Sequence, residues 1–347
     1  MKKQSKTKVI CTIGPSCNNP QMMKKMADAG MKCARINLSH GDFSFYSKVA
    51  NNLKKVPGYK IPLMTDTKGP EIRVCELKKP LLIKSGANVT ILTKCFVTPN
   101  KPNTFCVYDS TKKYNMAKDL KPGNRIAVDD GKLYLKVTGV NVNKGEIKAK
   151  AMNTHTLLTN KRINLPDSSY SMPFLSDRDI QNLKESVQIG AKYIALSFVC
   201  NVRNIKDARK VIVKAGGKNV KVYSKIETQD ALNNLDSIVK EADGILVARG
   251  DLALETPYYE VPYWETEIIK KCRKYNKPVV VCTQMLDSLE RNVHPTRAEV
   301  TDVYYAASMG ADGTLLSGET ASGCDPVNAV KTMQAIIDAA TKRPITK

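Results

Sequence analysis

The sequence predicts an α/β fold, a closed (β/α)8 barrel with a small all-β lid domain inserted after strand 3. Two observations predict it. A helix-like segment ending in Gly or Ala, followed by a short apolar run and closing polar residues, recurs along the chain. One long stretch breaks this rhythm and shows the two-residue alternation of β-strands instead. Buried parallel strands are near-continuous apolar runs, and eight such units fit a closed barrel.

The strand candidates end in polar residues. In chain order they are TKVICTIG, MKCARINLS, IPLMTD, AKYIALSF, VKVYSKIE, GILVARGD, PVVVCTQM and ADGTLLSGE. Helical spacing links them: Ile205, Ala208 and Ile212, for example, recur on one face of NIKDARKVIVKA. An open doubly wound sheet is the alternative, but no G-x-G-x-x-G motif follows the first strand, so the barrel is favoured.

The interrupting stretch covers residues 69–162. Alternation such as Leu133 and Leu135, between Lys-Pro-Gly and Asn-Lys-Gly turns, predicts short strands. We therefore predict a catalytic barrel formed by residues 1–68 and 163–347, and a lid domain formed by residues 69–162. The lid stretch holds more than twice as many Lys and Arg as Asp and Glu. This excess of positive charge suits a lid that covers an anionic site. The alternative is a solvated basic module without a catalytic role.

Composition limits the classes of function. The chain has 55 Lys and Arg against 33 Asp and Glu, a net charge of +22, which suits an anionic partner. The lysines are dispersed with little aromatic interleaving, so nucleic acid is the weaker interpretation. Ten dilute cysteines without a CxxC pair favour neither a disulfide scaffold nor a zinc site. No apolar run approaches the roughly 18 residues of a membrane span and no signal-peptide pattern opens the chain, so we expect a cytoplasmic protein without a membrane partner.

Polar residues at the strand ends form the candidate site. Side chains two positions apart on a strand share a face. This rule groups Arg35, Asn37 and Ser39 on strand 2, Lys225 and Glu227 on strand 5, and Ser317 and Glu319 on strand 8. Strand 3 ends in Asp66-Thr67, strand 6 in Arg249-Gly250-Asp251 and strand 7 in Thr283-Gln284. In a closed barrel these residues converge at the C-terminal mouth.

These strand ends combine carboxylates with cations. Glu227 and Asp251 follow consecutive strands and suit a hard divalent ion such as Mg²⁺; an ordinary ion pair with Lys225 is the alternative. Buried cations such as Lys225 and Arg35 are costly unless they meet an anion, so they favour an anionic ligand. The backbone amides of ARGD lead into a helix, and such a helix start suits a phosphate. Four side chains offer oxygens that suit a monovalent ion: those of Asn37, Ser39, Asp66 and Thr67. The alternative for Asp66 is that it only caps a helix.

The motifs resemble those of pyruvate kinases. The matching segments are CTIGPS (11–16), ARINLSHG (34–41), DTKGPEIR (66–73), SKIE (224–227), ARGDL (248–252), TQMLDS (283–288), PTRAE (295–299) and LSGETASG (316–323). The resemblance extends over about residues 7–340 and implies the same barrel with a β lid. It also implies a glycolytic phosphotransferase that transfers the phosphoryl group of phosphoenolpyruvate to ADP, giving pyruvate and ATP, with Mg²⁺ (or Mn²⁺) and K⁺ as cofactors.

The resemblance implies a role for each site residue. Lys225 would stabilise the enolate and touch the transferring phosphate, Arg35 would hold that phosphate, and Thr283 would help position the proton with Ser317 and Glu319. The substrate carboxylate would lie near the amides of Ala248, Arg249, Gly250 and Asp251. Glu227 and Asp251 would bind the divalent ion, and the potassium site would comprise Asn37, Ser39, Asp66 and Thr67, with Glu71 typical of potassium-dependent members. The nucleotide side would comprise Pro15, Asn37, His40, Arg73, Lys161 and the lid carboxylate Asp130.

Three residues depart from the family pattern. Ala253 stands where a glycine is usual, Arg162 replaces a glycine of the lid hinge, and His294 stands where a basic residue is common. The chain stops after NAVKTMQAIIDAA, so we expect neither the usual C-terminal regulatory domain nor sugar-phosphate activation by its route. A homo-oligomer such as a dimer is expected, with the family's tetramer in doubt. The alternative is a catalytically weak relative retained for binding, for example of RNA; the intact set of catalytic residues argues against it.

Overall fold

The described strands form two closed β-barrels and one two-stranded sheet. The structure, a computed structural model, describes residues 7–95, 97–111 and 113–345. Residues 1–6 and 346–347 of the predicted barrel, and residues 96 and 112 of the predicted lid, lie outside the described residues. The chain begins with β1 (Lys8–Thr12), β2 (Met31–Asn37) and β3 (Leu63–Asp66). The inserted strands follow: β4 (Ile72–Val74), β5 (Leu81–Ile83), β6 (Asn88–Leu92), β7 (Thr104–Asp109), β8 (Arg125–Val128), β9 (Leu133–Asn141), β10 (Glu146–Ala151), β11 (His155–Leu157) and β12 (Arg162–Asn164). The last strands are β13 (Tyr193–Leu196), β14 (Lys221–Ile226), β15 (Gly244–Ala248), β16 (Val279–Cys282) and β17 (Gly313–Leu316).

The larger barrel confirms the predicted fold class. Its eight parallel strands close in the order β1, β17, β16, β15, β14, β13, β3, β2. The first and last strands seal it, with Val9 opposite Thr314 and Cys11 opposite Leu316. The interior is filled by side chains such as Met64, Leu246 and Leu315, so the barrel is a packed core with its polar groups at the ends of the strands.

Helices surround this barrel. They are α1 (Pro20–Ala29), α2 (Phe43–Lys54), α3 (Asp177–Gln188), α4 (Val202–Lys214), α5 (Gln229–Asn233), α6 (Leu235–Glu241), α7 (Arg249–Glu255), α8 (Val261–Lys274), α9 (Arg297–Ser308), α10 (Gly318–Ala321) and α11 (Pro326–Lys342). Short 3₁₀ turns cover Met116–Lys118, Tyr258–Glu260 and Asp287–Glu290. The predicted stripe on α4 is buried at Ile205, Ala208 and Ile212. A capping box of Ser176 and Asp179 begins α3, because the two residues satisfy otherwise unpaired N–H groups at its first turn.

The inserted domain is a second, smaller barrel. Seven of its strands close in the order β10, β6, β7, β4, β12, β8, β9, and β5 pairs with β11 beside them. The alternation on β9 buries Leu133, Leu135 and Val137, which join Ile91 and Phe105 in a core of their own. This packing makes the insertion a separate module between β3 and β13.

β12, the last strand of the small barrel, runs to Asn164, and polar contacts join this end of it to the large barrel. The Asn164 side-chain amide, at the end of β12, donates to Oε1 of Glu255 on α7 at 3.0 Å. The Tyr170 hydroxyl donates to the same oxygen at 2.8 Å. Among the described residues, none of the helices combines the length and the hydropathy needed to cross a membrane.

Candidate active site

A network of buried charges lies at the mouth of the large barrel. Arg35 donates its Nε and Nη2 hydrogens to Oδ2 of Asp66 at 3.1 and 2.6 Å. The Nζ atom of Lys225 lies 3.2 Å from Oδ1 of Asp66 and 2.9 Å from Oε1 of Glu227. The carboxylate side chains are only 2% and 1% exposed, so water screens these charges poorly. The structure thus brings two predicted cations against two predicted carboxylates.

These charges keep one another ionised. Burial by itself would raise the pKa of Asp66, but the positive charges of Lys225 and Arg35 outweigh burial and lower it. Burial by itself would lower the pKa of Lys225, but the carboxylates of Asp66 and Glu227 outweigh burial and raise it. The Lys225 ammonium group is therefore charged at neutral pH and faces any anionic oxygen that enters the mouth.

Glu227 and Asp251 both line the mouth of the barrel, and each also faces a cation: Lys225 faces Glu227 and Arg162 faces Asp251. Oε2 of Glu227 accepts a hydrogen bond from the N–H of Phe198 at 2.6 Å, and Asp251 lies in the first turn of α7 rather than on a strand. Burial raises the pKa of Glu227 to about 7; Lys225 opposes this shift, whereas the charge of Asp251 adds to it. A further cation would relieve this repulsion. The pair therefore fits a hard divalent ion whose remaining ligands are water and substrate oxygens.

A cavity of about 150 Å³ opens between these side chains. Its lining includes the predicted site residues Arg35, Asn37, Ser39, Asp66, Thr67, Lys225, Glu227, Ala248, Asp251, Thr283 and Ser317. The oxygens assigned to potassium lie in this lining, although they also have protein partners. Oδ1 of Asn37 accepts from the N–H of Ser39 at 3.0 Å, and Oγ1 of Thr67 accepts from the N–H of Ser197 at 3.1 Å.

Two further cavities, of about 630 and 340 Å³, share residues with this one. The residues predicted for the nucleotide divide between them: Pro15, Asn37 and His40 line the first, and Arg73, Asp130 and Lys161 line the second. Arg35 and Ser317 line both the first cavity and the barrel mouth, and Arg162 lines both the second cavity and the mouth. The three cavities therefore meet at the ends of the barrel strands.

Ser197 belongs to the site, and sequence reasoning did not name it. It follows β13, is 2% exposed, and its Oγ accepts a hydrogen bond from Lys225 at 2.8 Å. The same hydroxyl donates to the carbonyl of Thr67 at 2.7 Å, so it orients the lysine against β3. The rule that polar strand ends converge could have found Ser197 in IALSF, because it applies to strand 4 as well.

Unusual backbone conformations occur where strands reach the cavity. Phe198, Thr283 and Gln284 have φ of 57°, 78° and 55°, in the left-handed region that costs a residue with a side chain about 1–2 kcal/mol. The Arg249 side chain points away from the cavity and supports the strained turn, because it donates to the carbonyl of Thr283 at 2.8 Å. Gly250 is required beside it, since a Cβ there would lie 2.8 Å from Cγ2 of Thr283.

Ser317 and Glu319 do not share a strand face, so that prediction was wrong. β17 ends at Leu316 and α10 begins at Gly318, so the chain turns between the two residues. Ser317 lines the cavity. The Glu319 carboxylate, which is 2% exposed, accepts from the N–H groups of Ser317 at 2.6 Å and Leu286 at 3.1 Å. Glu319 therefore holds two loops in place from behind the cavity.

The departures from the family pattern have different consequences. Ala253 lies within α7 and has no positive φ, so its side chain does not strain the turn. His294 is exposed. Arg162 reaches from the lid into the mouth, where its guanidinium pairs with Asp251 and, at 2.8 Å, with Oε1 of Glu71. Glu71 also pairs with Arg73 at 2.9 Å, so the lid places several cations around one buried carboxylate.

Comparison with known proteins identifies the family. The family model described as "Pyruvate kinase, barrel domain" matches residues 4–330. The chain is 44% identical to a pyruvate kinase of Mycoplasma genitalium, over 95% of this chain and 70% of that protein. It is 38% identical to a pyruvate kinase of Staphylococcus saprophyticus, over 95% of this chain and 56% of that protein. The chain belongs to the pyruvate kinase family.

A solved structure agrees with this assignment. A crystal structure of a pyruvate kinase from Cryptosporidium parvum superposes with a TM-score of 0.92 at 36% identity, covering 98% of this chain and 70% of that one. The predicted resemblance is thus confirmed, and the protein is an enzyme, a phosphotransferase. These relatives are all pyruvate kinases, so they support the enzyme prediction and lend no support to a role in binding alone. Pyruvate kinases are metal-dependent, in agreement with the carboxylate pair at the barrel mouth.

Proposed function

We propose that this pyruvate kinase transfers the phosphoryl group of phosphoenolpyruvate to ADP at the mouth of the large barrel. The observation that carries the proposal is the buried Lys225, held charged by Asp66 and Glu227 beside Arg35. Phosphoryl transfer depends mainly on positioning and on stabilising charge. Two cations that line one cavity suit both the phosphate of the substrate and the enolate that remains.

The bond changes follow from this arrangement. The bond between phosphorus and the enol oxygen of phosphoenolpyruvate breaks, and a new bond forms to a terminal oxygen of ADP. Arg35 and Lys225 hold the moving group, and Lys225 stabilises the negative charge that the enol oxygen gains. A proton then adds to the methylene carbon and gives pyruvate. Thr283 and Ser317 line the cavity, and we assign to them the positioning of this proton.

The remaining substrate contacts come from the backbone and from loops behind the cavity. The amides from Ala248 to Asp251 suit the substrate carboxylate, since α7 begins there. Glu319 acts as a positioning residue through its hydrogen bond from the N–H of Ser317. On the nucleotide side we assign Pro15, Asn37, His40, Arg73, Lys161 and Asp130.

Glu227 and Asp251 would hold a divalent ion, Mg²⁺ or Mn²⁺. When bound, such an ion neutralises phosphate charge and orients the transferring group. A monovalent ion, K⁺, would use the oxygens of Asn37, Ser39, Asp66 and Thr67. Glu71 supports a potassium requirement, because a lysine there would supply the charge internally.

We further propose a cytoplasmic homodimer. Tyr258, Tyr259 and Tyr263 are 74%, 71% and 59% exposed on neighbouring turns before and within α8. Exposed aromatic clusters are typical of protein interfaces. Elution volume at two protein concentrations tests the dimer, and an elution volume of a monomer at both would contradict it.

The deciding experiment measures pyruvate formed from phosphoenolpyruvate and ADP with Mg²⁺ and either K⁺ or Na⁺. Pyruvate formation above that of a Lys225→Met variant is expected, and its absence would refute the proposal. Faster turnover in K⁺ than in Na⁺ is expected. Equal rates would contradict the roles given to the potassium oxygens and to Glu71. Excess RNA in the same assay should leave the rate unchanged.

A further inference from the structure

Arg162 connects the lid to the proposed metal site. It begins β12 on the lid, yet its side chain is only 25% exposed because it reaches the barrel mouth. One guanidinium nitrogen pairs with Oδ1 of Asp251 on α7, and the other lies 2.8 Å from Oε1 of Glu71 on the lid. The guanidinium carbon lies 5.8 Å from the centre of the Phe198 ring. The side chain therefore spans two domains and two carboxylates.

This position gives the arginine a competitor. Asp251 is one of the two carboxylates to which we assign the divalent ion, and one of its two oxygens, Oδ1, already accepts a hydrogen bond from the guanidinium. A guanidinium and a divalent ion at one carboxylate repel each other strongly where little water screens them. Binding of one therefore weakens binding of the other.

Glu71 is a second partner of Arg162, on the lid, besides Asp251. It is 3% exposed and lies near Lys68 and Arg73 as well, at 3.4 and 2.9 Å. With three cations around it, Glu71 keeps its charge balanced when Arg162 turns toward or away from the barrel. The contact between Arg162 and Asp251 can then break without leaving a buried charge unpaired on the lid.

We propose that Arg162 is an internal cation that competes with the divalent ion for Asp251, and that it thereby lowers the affinity of the enzyme for metal. The inference rests on the metal site proposed above. It adds that a residue of the lid, outside the metal ligands, determines how much metal the enzyme needs.

The test measures binding of Mn²⁺ to the substrate-free enzyme from the loss of its free-ion electron paramagnetic resonance signal. Arg162→Gln is expected to bind Mn²⁺ at least about fivefold more tightly than the parent, the lower end of typical coupling between sites. Arg162→Lys keeps the charge but cannot bridge two carboxylates, so its affinity should lie between the two. Unchanged or weaker binding by Arg162→Gln would overturn the proposal.

Arg73→Gln is the matched control. Arg73 pairs with the same Glu71 from the same lid, but its other contact is the carbonyl of Asn160 and not Asp251. Its Mn²⁺ affinity should therefore stay within about twofold of the parent, and tightening equal to that of Arg162→Gln would show a general effect of lid charge and overturn the proposal. Thermal unfolding of each variant verifies that it is folded.

Asp251→Asn separates this inference from the proposed function. If that variant binds Mn²⁺ as the parent does, the metal site itself is wrong; if it loses binding while Arg162→Gln shows no tightening, only the competition is wrong.

Discussion

The ammonium nitrogen of Lys225 lies 2.9 Å from Oε1 of Glu227, two positions further along the chain. The same nitrogen lies 3.2 Å from Oδ1 of Asp66 on a different strand. Lys225 is thus charged because two buried carboxylates stabilise it, and each carboxylate depends on the lysine in turn. A change at any one of the three alters the charge of the other two.

Replacing Lys225 by Met should lower kcat by at least about 10²–10³, because the enolate loses its main stabilising charge. Unfolding should become easier as well, since the variant leaves Asp66 and Glu227 buried with less compensation. Pyruvate formation and urea unfolding measure the two effects. Lys221→Met is the control: it lies on the same strand with a side chain 58% exposed, and it should keep full activity. Parent-like turnover by Lys225→Met would contradict the assigned role.

Ser197→Ala should lower kcat by about two- to tenfold with little change in KM, because one hydrogen bond that orients Lys225 is lost. Ser237→Ala removes an exposed hydroxyl at the start of α6 that donates to the carbonyl of Asn234, and it should leave kcat unchanged. Steady-state kinetics of both variants make the comparison. If KM rises while kcat stays constant, Ser197 acts in substrate binding instead.

Thr283→Gly should stabilise the fold by up to about 1 kcal/mol while lowering kcat about 10²-fold. Glycine relieves the left-handed backbone at φ 78°, whereas the lost hydroxyl no longer positions the proton. Gln284→Gly, at φ 55° and exposed, should give a similar gain in stability with activity retained. Urea unfolding and pyruvate formation test both changes. A loss of stability in both variants would mean that the turn is not strained.

Glu255→Gln should make stability less dependent on pH. Burial raises the pKa of Glu255 from 4.5 to about 7, more than its bonds from Asn164 and Tyr170 lower it. The folded state therefore binds the proton more tightly than the unfolded chain, and stability present below about pH 4.5 is lost as pH rises through about 7. As the pH rises from 5 to 8, the free energy of unfolding of the variant should increase relative to that of the parent by up to about 3 kcal/mol.

The matched control for this experiment is Glu267→Gln. Glu267 lies on the surface of α8 in an ion pair with Lys270. The stability of the Glu267→Gln variant should therefore change with pH as that of the parent does. Urea midpoints at several pH values provide the measurement. Parallel profiles for Glu255→Gln and the parent would show that Glu255 is ionised equally in the folded and unfolded states.

The order of the barrel strands could be predicted because each unit repeats one local pattern. Apolar runs such as VVVC and GILVA are too short for helices and too continuous for exposed strands, so they predict buried parallel strands. Alternation at Leu133 and Leu135 predicted the lid core for the same local reason. The wrong prediction for Ser317 and Glu319 arose where a strand became a helix within two residues, since periodicity needs several residues to be recognised.

The sequence by itself determined the fold class, the family and the convergence of Lys225, Glu227 and Arg35, because all of these depend on local pattern and on strand order. Only the tertiary structure revealed that Ser197 orients the lysine and that Arg162 reaches Asp251 from another domain. These contacts join residues 28 and 89 positions apart. Their geometry depends on how strands and domains pack, and no spacing along the chain encodes that distance.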